Sequence, residues 1–165
     1  MSTHSKDAQN LSLVTAIGRF HQYEKNLAAG AQPNPEQLEA LHDEGFEVVF
    51  NISPASTRNA LPGEAGLVEG LGMDYVHFPV DCSDLRPLHY LTFRGILDGL
   101  GGKKVFVHCG GNIKSSNLIH MYNVLEKGVP EEESLAILMS IQDPEPKWFD
   151  YFKQMGMRGL SALAA

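Results

Sequence analysis

Three short apolar runs, each closed by turn residues and separated by helical stretches, constrain this chain more than any other feature. They are residues 46–52 (FEVVFNI), 74–80 (DYVHFPV) and 103–108 (KKVFVH). Each is rich in β-branched and aromatic residues and too short for a helix, so each reads as a buried strand. Before, between and after them lie helical patterns at 36–44, 62–71, 88–100, 115–127, 131–141 and 146–155. Asn34 is placed to cap the first of these, and Pro35 suits its first position. Gly63, Gly66 and Gly70 weaken the second. Leu118, Tyr122 and Leu125 line one face of the fourth. Strands that alternate with helices predict an α/β fold with a central, mostly parallel sheet flanked by helices.

At 165 residues the chain suits one domain. The polar residues 1–10 read as a flexible tail, 11–20 as a short strand or turn, and 11–165 as the domain. Lys and Arg number 13 against 20 Asp and Glu, a formal charge of −7. A nucleic-acid partner is not expected, because backbone affinity comes from cations that neutralise phosphates. That charge also opposes long-range steering of anions, so any anion affinity must be local. No apolar run approaches the ~20 residues of a membrane span, and the start lacks a basic-then-apolar secretory pattern. The expectation is a cytoplasmic protein that does not bind membranes. Cys82 and Cys109 are too few for a disulfide framework. No oligomeric state is legible.

The chemistry concentrates in residues 105–116, VFVHCGGNIKSS. Cys109 stands where a buried strand ends, which is where open α/β sheets bind ligands. Gly110 and Gly111 allow a tight turn with inward N–H groups, and Asn112 and Ile113 lead into a helix whose unpaired N–H groups face the same spot. That is a cradle for an anion. It also favours the thiolate of Cys109, making it a nucleophile at neutral pH. Lys114 supplies positive charge for a bound oxyanion. Ser115 or Ser116 can donate a hydroxyl to sulfur or to a departing group, and His108 orients the loop through its ring. Taken singly, each residue has an ordinary reading: a buried small thiol, a plain turn, a surface lysine, a core histidine. Their convergence on one strand, loop and helix favours the nucleophile. A Walker A loop is excluded because Ile113, and not glycine, precedes Lys114-Ser115, and no zinc-ligand spacing occurs.

This loop resembles that of the cysteine-dependent phosphatase superfamily on its dual-specificity side. There His-Cys is followed by five residues, then Arg and Ser or Thr; here that Arg position holds Ser115. The closer resemblance is to a bacterial branch, the beta-lactamase-hydrolase-like phosphatase-like domain family, whose loop reads His-Cys-x-x-Asn-x-Arg-x-Ser. His108, Cys109, Asn112 and Ser116 fit, and Lys114 stands at the Arg. Gly30-Ala31-Gln32-Pro33, the strands 45–52 and 72–80, and the segment 143–148 extend the similarity over about residues 27–155. The resemblance implies a phosphatase-like fold with the cysteine loop at the carboxyl edge of the sheet. It implies hydrolysis of phosphate monoesters through a phosphocysteine, without metal or cofactor, on a phosphorylated substrate or small oxyanion. Gly110, Gly111, Asn112, Ile113 and Ser115 would line the anion, with His108 behind them. The general acid would come from the loop after Pro79-Val80, as Asp81 or Asp84, with Asp81 directly after the strand.

Lysine is a point charge where arginine offers a two-pronged fork, so transition-state binding is expected to weaken by ~1–3 kcal/mol. Two other readings stay open: a catalytically inactive phosphate-binding module, and a rhodanese-like sulfurtransferase using a Cys109 persulfide, because the loop is short. Cys82, in the acid loop, could trap an oxidised Cys109 as a disulfide, or be a plain loop cysteine.

Overall fold

The computed structural model describes residues 3–164. Helix α1 (Thr3–Thr15) leads into a hairpin, β1 (His21–Glu24) and β2 (Leu27–Gly30). Then come α2 (Pro35–Asp43), β3 (Val48–Asn51), α3 (Glu64–Gly70), β4 (Asp74–His77), α4 (Pro87–Gly99), β5 (Val105–His108), α5 (Ile113–Leu125), α6 (Glu131–Ile141) and α7 (Pro146–Gln154). A 3₁₀ turn, Gly159–Ala164, follows. The sheet order is β1-β2-β5-β3-β4. Only β1 runs antiparallel to its neighbour. This is the predicted α/β architecture with a mostly parallel sheet.

Strand register places the site. Gly30, His108, Asn51 and His77 form one row across β2, β5, β3 and β4 at their carboxyl ends. Period-2 alternation along each strand feeds two cores. On one face Val48, Phe50 and Val107 pack with Phe93 of α4, Leu118 of α5, Leu135 of α6 and Trp148 of α7. On the other, Val49, Phe106 and Ala28 pack with Val14 of α1, Leu38 and Leu41 of α2 and Val68 of α3. Phe50 stacks on Phe93 at 5.5 Å between centroids. Burying one such aromatic contributes about 2–3 kcal/mol.

Helix α2 begins as its sequence dictates. Asn34 Oδ1 accepts from the Gln37 backbone N–H at 2.8 Å, and Gln37 Oε1 accepts from the Asn34 N–H at 3.0 Å, a reciprocal capping box.

The N-terminal expectation is corrected. Residues 3–15 are helical, so neither a tail over 1–10 nor a strand from Leu11 describes them; Met1 and Ser2 lie outside the described residues. The helix buries only Asn10 and Val14, which is why its polar sequence gives no apolar stripe. It is held against α2, where Asp43 takes Lys6 at 3.5 Å and Asn10 at 3.4 Å. The hairpin was not legible either. Strand β2 is Leu-Ala-Ala-Gly, poor in β-formers but wholly buried. A Cβ on Gly30 would lie 2.8 Å from Ile17 and 3.1 Å from Phe106, so the small residues let the turn after α1 close over the sheet.

Candidate active site

Strand β5 delivers Cys109 to the floor of the carboxyl edge, where it is 2% exposed. The next residues turn sharply and α5 begins at Ile113. The turn is made differently from the expectation. Its left-handed residue is Asn112 (φ 60°), whereas neither Gly110 nor Gly111 has a positive φ. Asn112, a residue type that visits that backbone more readily than most, also fastens the turn to a distant segment, since its Nδ2 donates to the Arg19 carbonyl at 2.7 Å. Gly110 is needed for space. A Cβ there would meet Thr57 Cγ2 and Asn59 Oδ1, each at 3.0 Å. Asn59 Nδ2 also donates to the Gly110 carbonyl at 2.8 Å. With that carbonyl bound by Asn59 and by the Gln32 N–H (3.2 Å), the loop is anchored through its oxygens. Among the described residues nothing accepts from the N–H groups of Gly110 and Gly111. The first N–H groups of α5 likewise lack helical partners. Oxygens anchored and amides free is the arrangement an anion requires.

The two serines differ. Ser116 Oγ donates to the carbonyls of Asn112 and Ile113 and accepts from Gln142 Nε2 at 2.9 Å. It is thus engaged with the first turn of α5 and with Gln142. Ser115 Oγ is fully buried and has no partner. Of the two hydroxyls, the uncommitted one is that of Ser115, directly after Lys114.

His108 holds the loop from behind. Its Nδ1 lies 3.2 Å from the Cys109 carbonyl, and Nε2 lies 2.7 Å from Glu64 Oε1, out of line for a well-formed hydrogen bond. Glu64 is buried at the start of α3. It also accepts from Gln32 Nε2 (3.0 Å), Asn51 Nδ2 (3.1 Å) and Tyr75 OH (3.2 Å). Burial pushes its carboxyl up, but the close contact and charge of His108, with the hydrogen bonds from Gln32 and Tyr75, outweigh this and hold it below the ordinary range. Sequence reasoning missed this cluster because its members come from five separate segments. Gln32 and Asn51 sat inside the recognised motifs, but nothing in either motif indicated a shared carboxylate.

The loop after β4 holds the two expected acids, Asp81 and Asp84, in different settings. The Ser83 backbone N–H (2.9 Å) and hydroxyl (2.7 Å) donate to Asp81 Oδ1. These bonds first, then the charges of Lys114 and His89, hold the Asp81 carboxyl below its ordinary value. Asp84 instead pairs with Arg86 at 2.8 Å on the surface. Lys114 makes no ion pair among the described residues, so its charge acts on Asp81 and on the Cys82 thiol. Burial pushes that thiol up despite Lys114 and Lys147, and the charge of Cys109 also reaches it. Both cysteines are free.

Beside the loop, over β3 and β4, lies a cavity of about 460 Å³ lined by Thr57, Leu61, Glu64, Tyr75 and His77 among others. Among the described residues no three His, Cys, Asp or Glu side chains cluster as a metal site, and no helix is long and apolar enough to cross a membrane.

The sheet order and a cysteine loop between β5 and α5 define the architecture of the cysteine-dependent phosphatases. No family model and no curated protein sequence matches the chain. Solved structures do. A candidate phosphatase of the DUF442 group from Shewanella putrefaciens CN-32 is 28% identical, with a TM-score of 0.77 over 87% of this chain and 95% of that one. Tk-PTP in its active form is 18% identical, with a TM-score of 0.72 over 85% and 97%. A cysteine-to-serine variant of P. aeruginosa TpbA, in complex with phosphotyrosine, is 14% identical, with a TM-score of 0.60 over 71% and 69%. At that identity the last two speak for the fold. The likeness to phosphatases rests on the DUF442 structure.

Proposed function

We propose that this protein hydrolyses phosphate monoesters through a phosphocysteine at Cys109. The observation that supports the reading is the loop itself: a buried thiol at the end of β5, then Gly110 and Gly111 with N–H groups that no described residue accepts from, then the unpaired Lys114 cation and the unpartnered Ser115 hydroxyl in the first turn of α5. The sulfur attacks phosphorus, the ester P–O bond breaks, and the leaving oxygen takes a proton. Water then attacks the phosphocysteine, releasing phosphate and restoring the thiolate. Loop N–H groups and Lys114 carry the equatorial charge, which is where most of the catalysis lies. Ser115 donates to sulfur as the thiolate leaves in the second step.

Asp81 is the proton carrier. The free protein holds its carboxyl ionised, the form needed to take a proton from water. A phosphate dianion docking nearby raises its proton affinity, as a like charge does, and readies it for the first step.

Lysine at the arginine position makes the enzyme slow. The test is hydrolysis of p-nitrophenyl phosphate. Activity is expected in the wild type, none in Cys109→Ser, and about tenfold more in Lys114→Arg, the worth of one added charge-assisted bond. A rate at background in both the wild type and Lys114→Arg overturns the reading. Thiocyanate release from thiosulfate and cyanide, lost in Cys109→Ser, would replace it with sulfur transfer.

A further inference from the structure

Arg19 lies in the turn between α1 and β1, and its backbone is left-handed (φ 47°). Only one other described non-glycine residue is, Asn112. The two are joined, since Asn112 Nδ2 donates to the Arg19 carbonyl at 2.7 Å. Asparagine suits such a backbone; arginine has no short side chain to relieve it. Glycine or asparagine would carry this turn with less strain. What arginine adds is its guanidinium, and strain retained at one point is a pointer to use.

That guanidinium rests on the cysteine loop. Nη1 donates to the Gly111 carbonyl at 3.3 Å, a long bond, and the residue is exposed. Among the described residues it pairs with no carboxylate, although the chain carries 20 acids against 13 basic residues. Arg86 and Arg94 each have one and Arg158 has two; among the described residues Arg58 is unpaired like Arg19, but its side chain makes no hydrogen bond to the loop. So a fork with most of its donors uncommitted stands at the rim of a cradle whose own cation is a lysine.

Resting on the phosphatase reading, we propose that Arg19 is the guanidinium the loop lacks: it closes over the outer oxygens of a phosphate monoester seated on Cys109. The fork leaves the Gly111 carbonyl and takes two oxygens of the anion, which a lysine cannot do. The site is thereby split, with Lys114 giving charge from the helix and Arg19 giving geometry from the turn. Substrates whose phosphate is exposed enough to admit a second residue from the rim are favoured over those gripped only from below.

The experiment measures tungstate affinity by calorimetry, and p-nitrophenyl phosphate hydrolysis, in the wild type, Arg19→Gly, Arg19→Lys, Arg94→Ala and the double variant Arg19→Gly/Lys114→Arg. Arg19→Gly is expected to weaken tungstate about tenfold while its melting temperature holds or rises, because glycine relieves the turn. A purely structural arginine would lose both together. Arg19→Lys restores only part of the affinity, Arg94→Ala controls for net charge and changes nothing, and the double variant recovers most of the loss. Wild-type affinity in Arg19→Gly, with tungstate still blocking Cys109, overturns the role of Arg19 alone. A wild type that neither binds tungstate nor hydrolyses the ester overturns the phosphatase reading and this proposal with it.

Discussion

The Glu64 cluster gives the sharpest test of how the loop is held. Glu64→Gln keeps the shape of the side chain and removes one acceptor oxygen. In the native cluster Oε1 faces Gln32 and His108, and Oε2 faces Asn51 and Tyr75. A neutral amide has one oxygen and one NH2, so whichever way it turns, its NH2 meets two donors. Tyr75 or His108 can each relieve one clash by rotating a hydroxyl or changing tautomer. At least one buried donor stays unpaired, and the charge that strengthened the other bonds is gone. The cost is about 3 kcal/mol, from an unpaired buried group plus the lost charge assistance. For a chain of this size that lowers the melting temperature by about 10 °C. The pH dependence follows from the direction of the shift. The folded carboxyl titrates below the ordinary 4.5. Its contribution is therefore complete above 4.5 and is lost as pH falls through the folded value. Urea denaturation at pH 7 and at pH 3 reads both effects: a gap between wild type and variant at pH 7 that narrows at pH 3. Equal midpoints at pH 7, or a gap that widens on acidification, would refute the account of this carboxylate as the acceptor that holds His108 and the strand ends together.

Other expectations follow from the same geometry. His120, buried with Nδ1 2.7 Å from Ser134 Oγ, is lowered by burial to about 4 although the Glu131 charge and Ser134 oppose this. The unfolded chain then binds the proton first, so stability falls by about 3 kcal/mol as pH drops from 6.5 to about 4, and His120→Gln flattens that slope in denaturant titrations. Ser116→Ala breaks the bond from Gln142 and costs about 1 kcal/mol in urea melts, whereas Ser115→Ala leaves stability near the wild type and slows the second chemical step, seen as a larger p-nitrophenol burst. Gly110→Ala drives a methyl against Thr57 and Asn59, costs about 1–2 kcal/mol and weakens tungstate binding measured by calorimetry. Asp81→Asn lowers kcat for alkyl phosphates, whose leaving oxygens need a proton, far more than for p-nitrophenyl phosphate; Asp84→Asn changes neither rate.

How much of this was legible in the sequence depends on where each residue's partners lie. Strands β3 and β5 were readable because their burial is written along the chain as apolar runs, β4, a partly exposed edge strand, because turn residues bound it, and α2 because Asn34 and Gln37 cap it within one turn. Helix α1 and strand β2 were not. Thr3–Thr15 is stabilised by Asp43 and by packing on α2, and β2 is chosen for smallness, so neither carries the local pattern its structure has. The site divides in the same way. Cys109 and Lys114 are legible because strand, turn and helix N-terminus are contiguous. The choice between Ser115 and Ser116 depends on Gln142, 26 residues from Ser116. The support for His108 depends on Glu64, and the rim guanidinium on a turn 92 residues before Gly111. A nucleophile can be read from one segment because its activation is local. Its orientation cannot, because a loop with inward amides must be held by its oxygens and side chains from outside, and the residues that hold it come from the opposite ends of other strands and helices. The substitutions most worth making therefore lie at Glu64, Gln142 and Arg19, which no loop motif contains.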